Sequence, residues 1–64
     1  MTPEQRAERR AFLSMERWAR KEANASRDAR DSAKSEHDKA VWYGRFCSEM
    51  ALARECERRA RRIK

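Results

Sequence analysis

The sequence predicts an all-α protein, a helical hairpin of two long amphipathic helices that dimerises into a helical bundle. The composition favours long helices over a sheet, since 44% of the 64 residues are charged and only one glycine and one proline occur. Apolar residues recur at spacings of three, four and seven in the first half of the chain, which is the helical period. The segment Ala40–Leu52 is apolar nearly all round, which is typical of a helix buried on more than one side.

The first helix is expected over about residues 3–31. Thr2 suits the N-cap, Pro3 suits the first helical position, and Gln5 lies where the partner of a capping box belongs. Apolar residues of this helix are predicted to form one narrow seam, made of Ala7, Ala11, Met15, Trp18, Ala25 and Ala29. The opposite arc is basic and contains Arg6, Arg9, Arg10, Arg17 and Arg20.

The turn of the hairpin is expected somewhere within residues 24–35. Ser35 is the best start for the second helix, because Asp38 follows it at the third position of a cap. If large apolar residues face each other across the hairpin, Phe12 lies opposite Phe46 and the turn is centred near residue 29. The alternative is an unbroken helix that runs through most of the chain and pairs in a coiled coil.

The second helix is expected over about residues 36–62, with the segment Ala40–Leu52 at the centre of the bundle. At about 100° per residue, its large apolar side chains fall on two opposite sides of the helix. One partner helix covers only one side, so the segment predicts a second partner and hence self-association. The predicted core and interface residues are Trp18, Val41, Trp42, Tyr43, Phe46, Met50 and Leu52.

Three polar or small residues within this segment are expected to make specific contacts. Gly44 is the lone glycine, and we expect a neighbouring helix to approach closely there, with a kink as the alternative. Arg45 and Glu49 are four residues apart and are expected to pair, either at the rim of the interface or buried within it.

The sequence predicts no catalytic, cofactor or metal site. Cys47 and Cys56 lie nine residues apart, on opposite sides of a straight helix, so they cannot share a zinc ion within it. We expect both to pack as small apolar residues. Ser35, His37 and Asp38 fall on one helical turn, where a nucleophilic triad cannot assemble. The chain is therefore predicted not to be an enzyme and to have no small-molecule substrate.

The charge pattern is the main functional signal. The formal net charge is +6, and arginine outnumbers lysine thirteen to four. A solvated face with local acid pairs is the simplest interpretation, and contact with phosphates or with an acidic protein surface is the functional one. The residues expected to make such contacts are Arg6, Arg9, Arg10, Arg17, Arg20, Arg54, Arg58, Arg61 and Arg62.

These observations predict a small non-enzymatic interaction or regulatory protein that forms a homodimer and docks onto an unidentified protein partner. The alternative is a nucleic-acid-binding protein that uses the arginine-rich helix faces. No apolar run approaches the roughly 18 residues of a membrane helix, and no signal peptide is visible, so we expect a cytoplasmic protein without a membrane partner.

Overall fold

A computed structural model describes residues 1–63 as two α-helices that pack against each other as an antiparallel hairpin, which confirms the predicted all-α helical hairpin. Helix α1 spans Pro3–Ser32 and helix α2 spans Glu36–Arg62, against the expected 3–31 and 36–62. The helical conformation is interrupted at residues 33–35, so the alternative of a single unbroken helix is wrong. Within the described residues, neither helix contains a stretch apolar enough to cross a membrane.

Both helices begin at the caps that the sequence predicts. The Oγ1 of Thr2 accepts a hydrogen bond from the backbone N–H of Gln5 at 3.1 Å, and the Oε1 of Gln5 accepts one from the N–H of Thr2 at 2.9 Å. The Oγ of Ser35 accepts a hydrogen bond from the N–H of Asp38 at 3.0 Å. These bonds satisfy N–H groups that a helix start leaves without intrahelical partners.

The contact between the helices is built from small side chains. Those that are buried recur three and four residues apart, which is the spacing of a coiled-coil seam. They are Ala19, Ala23 and Ser26 of α1, and Ala53, Cys56 and Ala60 of α2. Larger side chains flank them half-buried, with Phe12 and Ile63 at the open end and Trp42 and Phe46 toward the loop. The two helices therefore meet through alanines, and the large apolar residues lie at the margins.

The seam predicted for α1 is wrong. Met15 and Trp18 are 46% and 56% exposed, and the predicted alanines are exposed as well, apart from a half-buried Ala29. The helix turns a different stripe toward α2, one that includes Glu16 and Ser26. Those two polar residues fit a helix contact because Glu16 pairs with Arg20 and Ser26 bonds to α2.

The predicted register is also wrong. Phe12 lies beside Arg59 and Ile63 near the end of α2, and not opposite Phe46. The turn consists of residues 33–35, and is not centred near residue 29. Small residues align the helices here, whereas the expected register assumed that the aromatic residues pair with each other.

Gly44 faces outward, contrary to the expected close approach of a helix. A Cβ added there would meet nothing within 4 Å. The expected pair of Arg45 and Glu49 does not form either. The guanidinium of Arg45 lies 4.9 Å from the centre of the Trp42 ring, while Glu49 accepts a hydrogen bond from Ser26.

The two cysteines differ in their surroundings. Cys56 is buried in the seam, as expected for a small apolar residue, whereas Cys47 is exposed and does not pack in the hairpin. The nine-residue spacing explains the difference, because it places the two thiols on opposite sides of α2.

Candidate interaction faces

The hairpin has two broad faces, and contacts between the helices define them. On one face the Nη2 of Arg20 reaches the Oε2 of Glu57 at 3.1 Å. On the other, Glu8 of α1 meets Arg59 and Ile63 of α2 around a shallow cleft. Because successive residues are turned by about 100°, these contacts assign the other exposed side chains to one face or the other.

The face that contains the Glu8 cleft also presents large apolar side chains from both helices. Met15 and Trp18 of α1 are 46% and 56% exposed, and Val41 and Leu52 of α2 are 49% and 37% exposed. We call these four residues the apolar face. Single exposed apolar residues are ordinary on a protein surface, but four on one face of so small a body make a candidate contact surface.

The predicted core and interface residues are therefore split by the structure. Trp42, Phe46 and Met50 are half-buried at the margins of the seam, while Trp18, Val41 and Leu52 belong to the apolar face. Tyr43 is 51% exposed and lies toward the face of Arg20. The guanidinium of Arg30 lies 5.6 Å from the centre of its ring, so that an aromatic and a cation are presented together.

The arginines near the end of α2 are largely neutralised by neighbouring carboxylates. Glu55 pairs with Arg58 at 3.1 Å and with Arg59 at 2.9 Å. Glu57 pairs with Arg61 at 2.6 Å and also with Arg20, which is held by Glu16 as well. The hydrogen bond from Arg59, together with the charge of Arg58, lowers the pKa of Glu55. Three predicted contact residues, Arg20, Arg58 and Arg61, thus have acidic partners within the chain.

The cations on the outer side of α1 are in a different situation. Arg6, Arg9, Arg10, Arg17 and Lys21 are all exposed, and none has an ion-pair partner among residues 1–63. We call these five residues the basic edge. They lie within about 120° of arc, at about 100° per residue; four of them are on the side of α1 away from α2, and Arg9 lies on the same side as Arg20. Arg54 and Arg62 also lack an ion pair within the described residues but are scattered on α2.

Lys21 is a candidate contact residue that was not predicted from the sequence. The signal that identifies the basic edge is the absence of acids at helical spacing, because no Asp or Glu lies three or four residues from any of its five members. Near the start of α1, Arg6, Arg9 and Arg10 also line an open cleft of about 220 Å³ around Leu13.

No family model, no curated protein and no solved structure matches this chain. Within the part of the chain that the structure describes, no three side chains of His, Cys, Asp or Glu are grouped so as to hold a metal ion. What the molecule does must therefore be inferred from its apolar face and its basic edge.

Proposed function

We propose that this protein is a non-enzymatic helical interaction protein that pairs with a second copy of itself through the apolar face and docks onto a protein partner. The observation that supports it most is the exposure of Met15, Trp18, Val41 and Leu52 on one face. Covering these side chains removes apolar surface from water, at roughly 25 cal/mol per Å².

The weakness of the hairpin's own core favours a second copy as the occupant. Among residues 1–63 the buried side chains are those of four alanines, one serine and one cysteine, which bury little apolar surface. Chains of about 60 residues bury only about 60% of the surface that they expose when unfolded, so oligomerisation commonly supplies the rest. A second copy is always present at the same concentration, and two hairpins stacked on these faces form a four-helix bundle.

The dimensions of the hairpin are also sufficient for a dimer. Its principal extents are 50 × 13 × 10 Å, so a broad face has an outline of about 650 Å² before side chains widen it. A stable interface buries about 800 Å² on each partner, which is about a sixth of the accessible surface of 4996 Å².

Tyr43 and Arg30 support the docking of a further protein. They lie on the face of Arg20, which the dimer leaves free, with the guanidinium 5.6 Å from the ring centre. Tyrosine and arginine are among the residue types that dominate binding energy at protein interfaces.

Light scattering on a sizing column tests the pairing. We expect the mass of two 7.7 kDa chains at micromolar concentration. The double change Trp18→Gln and Leu52→Gln should reduce it to one chain, because the dimer loses two apolar contacts while the seam is untouched. Tyr43→Gln is the matched control, since Tyr43 is similarly exposed on the opposite side, and should leave the dimer intact.

Two results would argue against the pairing. One is a wild-type protein that stays monomeric at micromolar concentration and still melts cooperatively. The other is a melting temperature that does not rise with protein concentration, because pairing of folded chains makes it do so.

A further inference from the structure

The cations of the basic edge of α1 repel one another. Arg6 and Arg10 are four residues apart, and so are Arg17 and Lys21, so like charges stand next to each other on the helix surface. Like-charge pairs at this spacing destabilise a helix. The chain thus maintains repulsion along one edge that a bound polyanion would relieve.

The arginines of α2 differ from those of the basic edge because several of them are paired with carboxylates of the same helix. Near the end of α2 the arginines are as dense, yet Glu55 pairs with both Arg58 and Arg59. The four glutamates of α1 lie on the seam or on the side of the apolar face, and so not within the basic edge. Of these four, only Glu16 pairs with an arginine, which is Arg20 at 3.1 Å. The positive charge of the basic edge is consequently left for an external partner.

The length and width of α1 fit a duplex nucleic acid. From Arg6 to Lys21 the helix rises about 22 Å, at about 1.5 Å per residue. A duplex of that length presents about six base pairs, at about 3.4 Å each. A helix with its side chains is about 10–12 Å across and the major groove of DNA is about 12 Å wide, so α1 can lie along the groove with cations directed at the phosphates.

We propose that the basic edge of α1 binds the phosphate backbone of a duplex nucleic acid. The five cations contact phosphates, and arginine suits this role because its planar fork donates two parallel hydrogen bonds. The edge is separate from the apolar face, so that binding and pairing are compatible, and a dimer carries two such edges. The proposal goes beyond the interaction protein proposed above and does not depend on it.

Fluorescence anisotropy with labelled probes tests the proposal on the full chain. The probes are a duplex DNA, the corresponding duplex RNA and a single strand, titrated between about 50 and 200 mM salt. With five phosphate contacts we expect a log–log salt slope near −4.5 on duplex DNA, at about −0.9 per contact. Similar affinity for both duplexes identifies the phosphate backbone, whereas tighter binding to DNA places α1 in its major groove, because that of RNA is deep and narrow.

Two variants with the same net charge separate a located site from general attraction. Arg10→Gln with Arg17→Gln removes two members of the basic edge, while Arg58→Gln with Arg61→Gln removes two arginines paired to Glu55 and Glu57. Each double variant lowers the formal charge from +6 to +4. The first should reduce the magnitude of the slope by about 2, at about −0.9 per contact, and the second should leave it nearly unchanged. All four positions are exposed and glutamine favours helix, so circular dichroism should match the wild type.

Three results would overturn the proposal. The first is no binding to any nucleic acid at the lowest salt concentration. The second is an equal loss of slope in both double variants, which would mean that binding follows net charge alone. The third is displacement of DNA by poly-glutamate at equal charge concentration, which would indicate an acidic protein as the partner. Since the apolar face is unchanged in these variants, each should keep the oligomeric mass of the wild type. A protein that does not bind nucleic acid could therefore still pair, and the mass measurement tests that pairing independently.

Discussion

The hydrogen bond between Ser26 and Glu49 should couple the two helices measurably. Ser26 is 2% exposed, and its Oγ donates to the Oε1 of Glu49 at 2.5 Å, a short bond to a charged acceptor. Bonds to charged groups contribute about 1.5–3 kcal/mol. Glu49 is only half-buried and can turn to water once the serine is removed, so we expect Ser26→Ala to cost about 1.5 kcal/mol, at the low end of that range.

A double-mutant cycle on denaturant unfolding measures that coupling. Ser26→Ala, Glu49→Ala and the double variant should give an interaction free energy of about 1 kcal/mol or more, as for residues in direct contact. In a domain of this size, 1 kcal/mol corresponds to about 4–8 °C in melting temperature. Ser14→Ala is the control, because Ser14 is an exposed serine on the same helix. An additive cycle, or equal stability of the Ser26 and Ser14 variants, would refute the role given to this bond.

Three further predictions concern the seam, the cysteines and the ion pairs. Ala23→Leu should destabilise the hairpin by about 1–3 kcal/mol through overpacking, whereas Ala25→Leu, at an exposed position, should be nearly neutral in the same melt. Cys47 should react with a thiol reagent in the native state while buried Cys56 reacts only on unfolding, and equal rates would contradict the seam. Arg59→Gln should raise the pKa of Glu55 toward its ordinary value in an NMR titration, because the first cause of its lowering is removed. Because the pKa of Glu55 is lower in the folded protein, the pair with Arg59 stabilises the fold at pH values above the ordinary carboxyl pKa, and this stabilisation is lost as the pH falls through the lowered pKa. A Glu55 pKa that is the same in the variant and in the wild type would contradict this role of Arg59.

The helix ends and the fold class could be predicted from local chemistry alone. The capping box of Thr2 and Gln5 and the cap of Ser35 depend on residues three positions apart, and such contacts are visible in a sequence. The long helices likewise follow from the scarcity of glycine and proline.

The packing of the two helices against each other could not be predicted from local sequence patterns. Hydrophobicity ranks Met15 and Trp18 above Ala19 and Ala23, yet the alanines are buried because small side chains let two helices approach closely. The register is fixed by contacts such as that of Arg20 with Glu57, which are 37 residues apart and leave no local pattern.

The candidate surfaces were visible in part. Arginine content pointed to basic surfaces, but it does not show which arginines have an acidic neighbour in reach, as Arg58 and Arg59 have in Glu55. Applying the spacing rule to each cation separates these from Arg10 and Arg17.

The environment of Trp18 reports directly on whether two copies pair through the apolar face. In a Trp42→Phe variant, Trp18 is the sole tryptophan, so its emission reports on the apolar face. In a single hairpin this side chain is 56% exposed, and a second copy would cover it. We predict blue-shifted emission at high protein concentration and a red shift on dilution, in step with the fall in mass from two chains to one. Emission typical of a water-exposed indole at every concentration, with helicity retained, would contradict the claim.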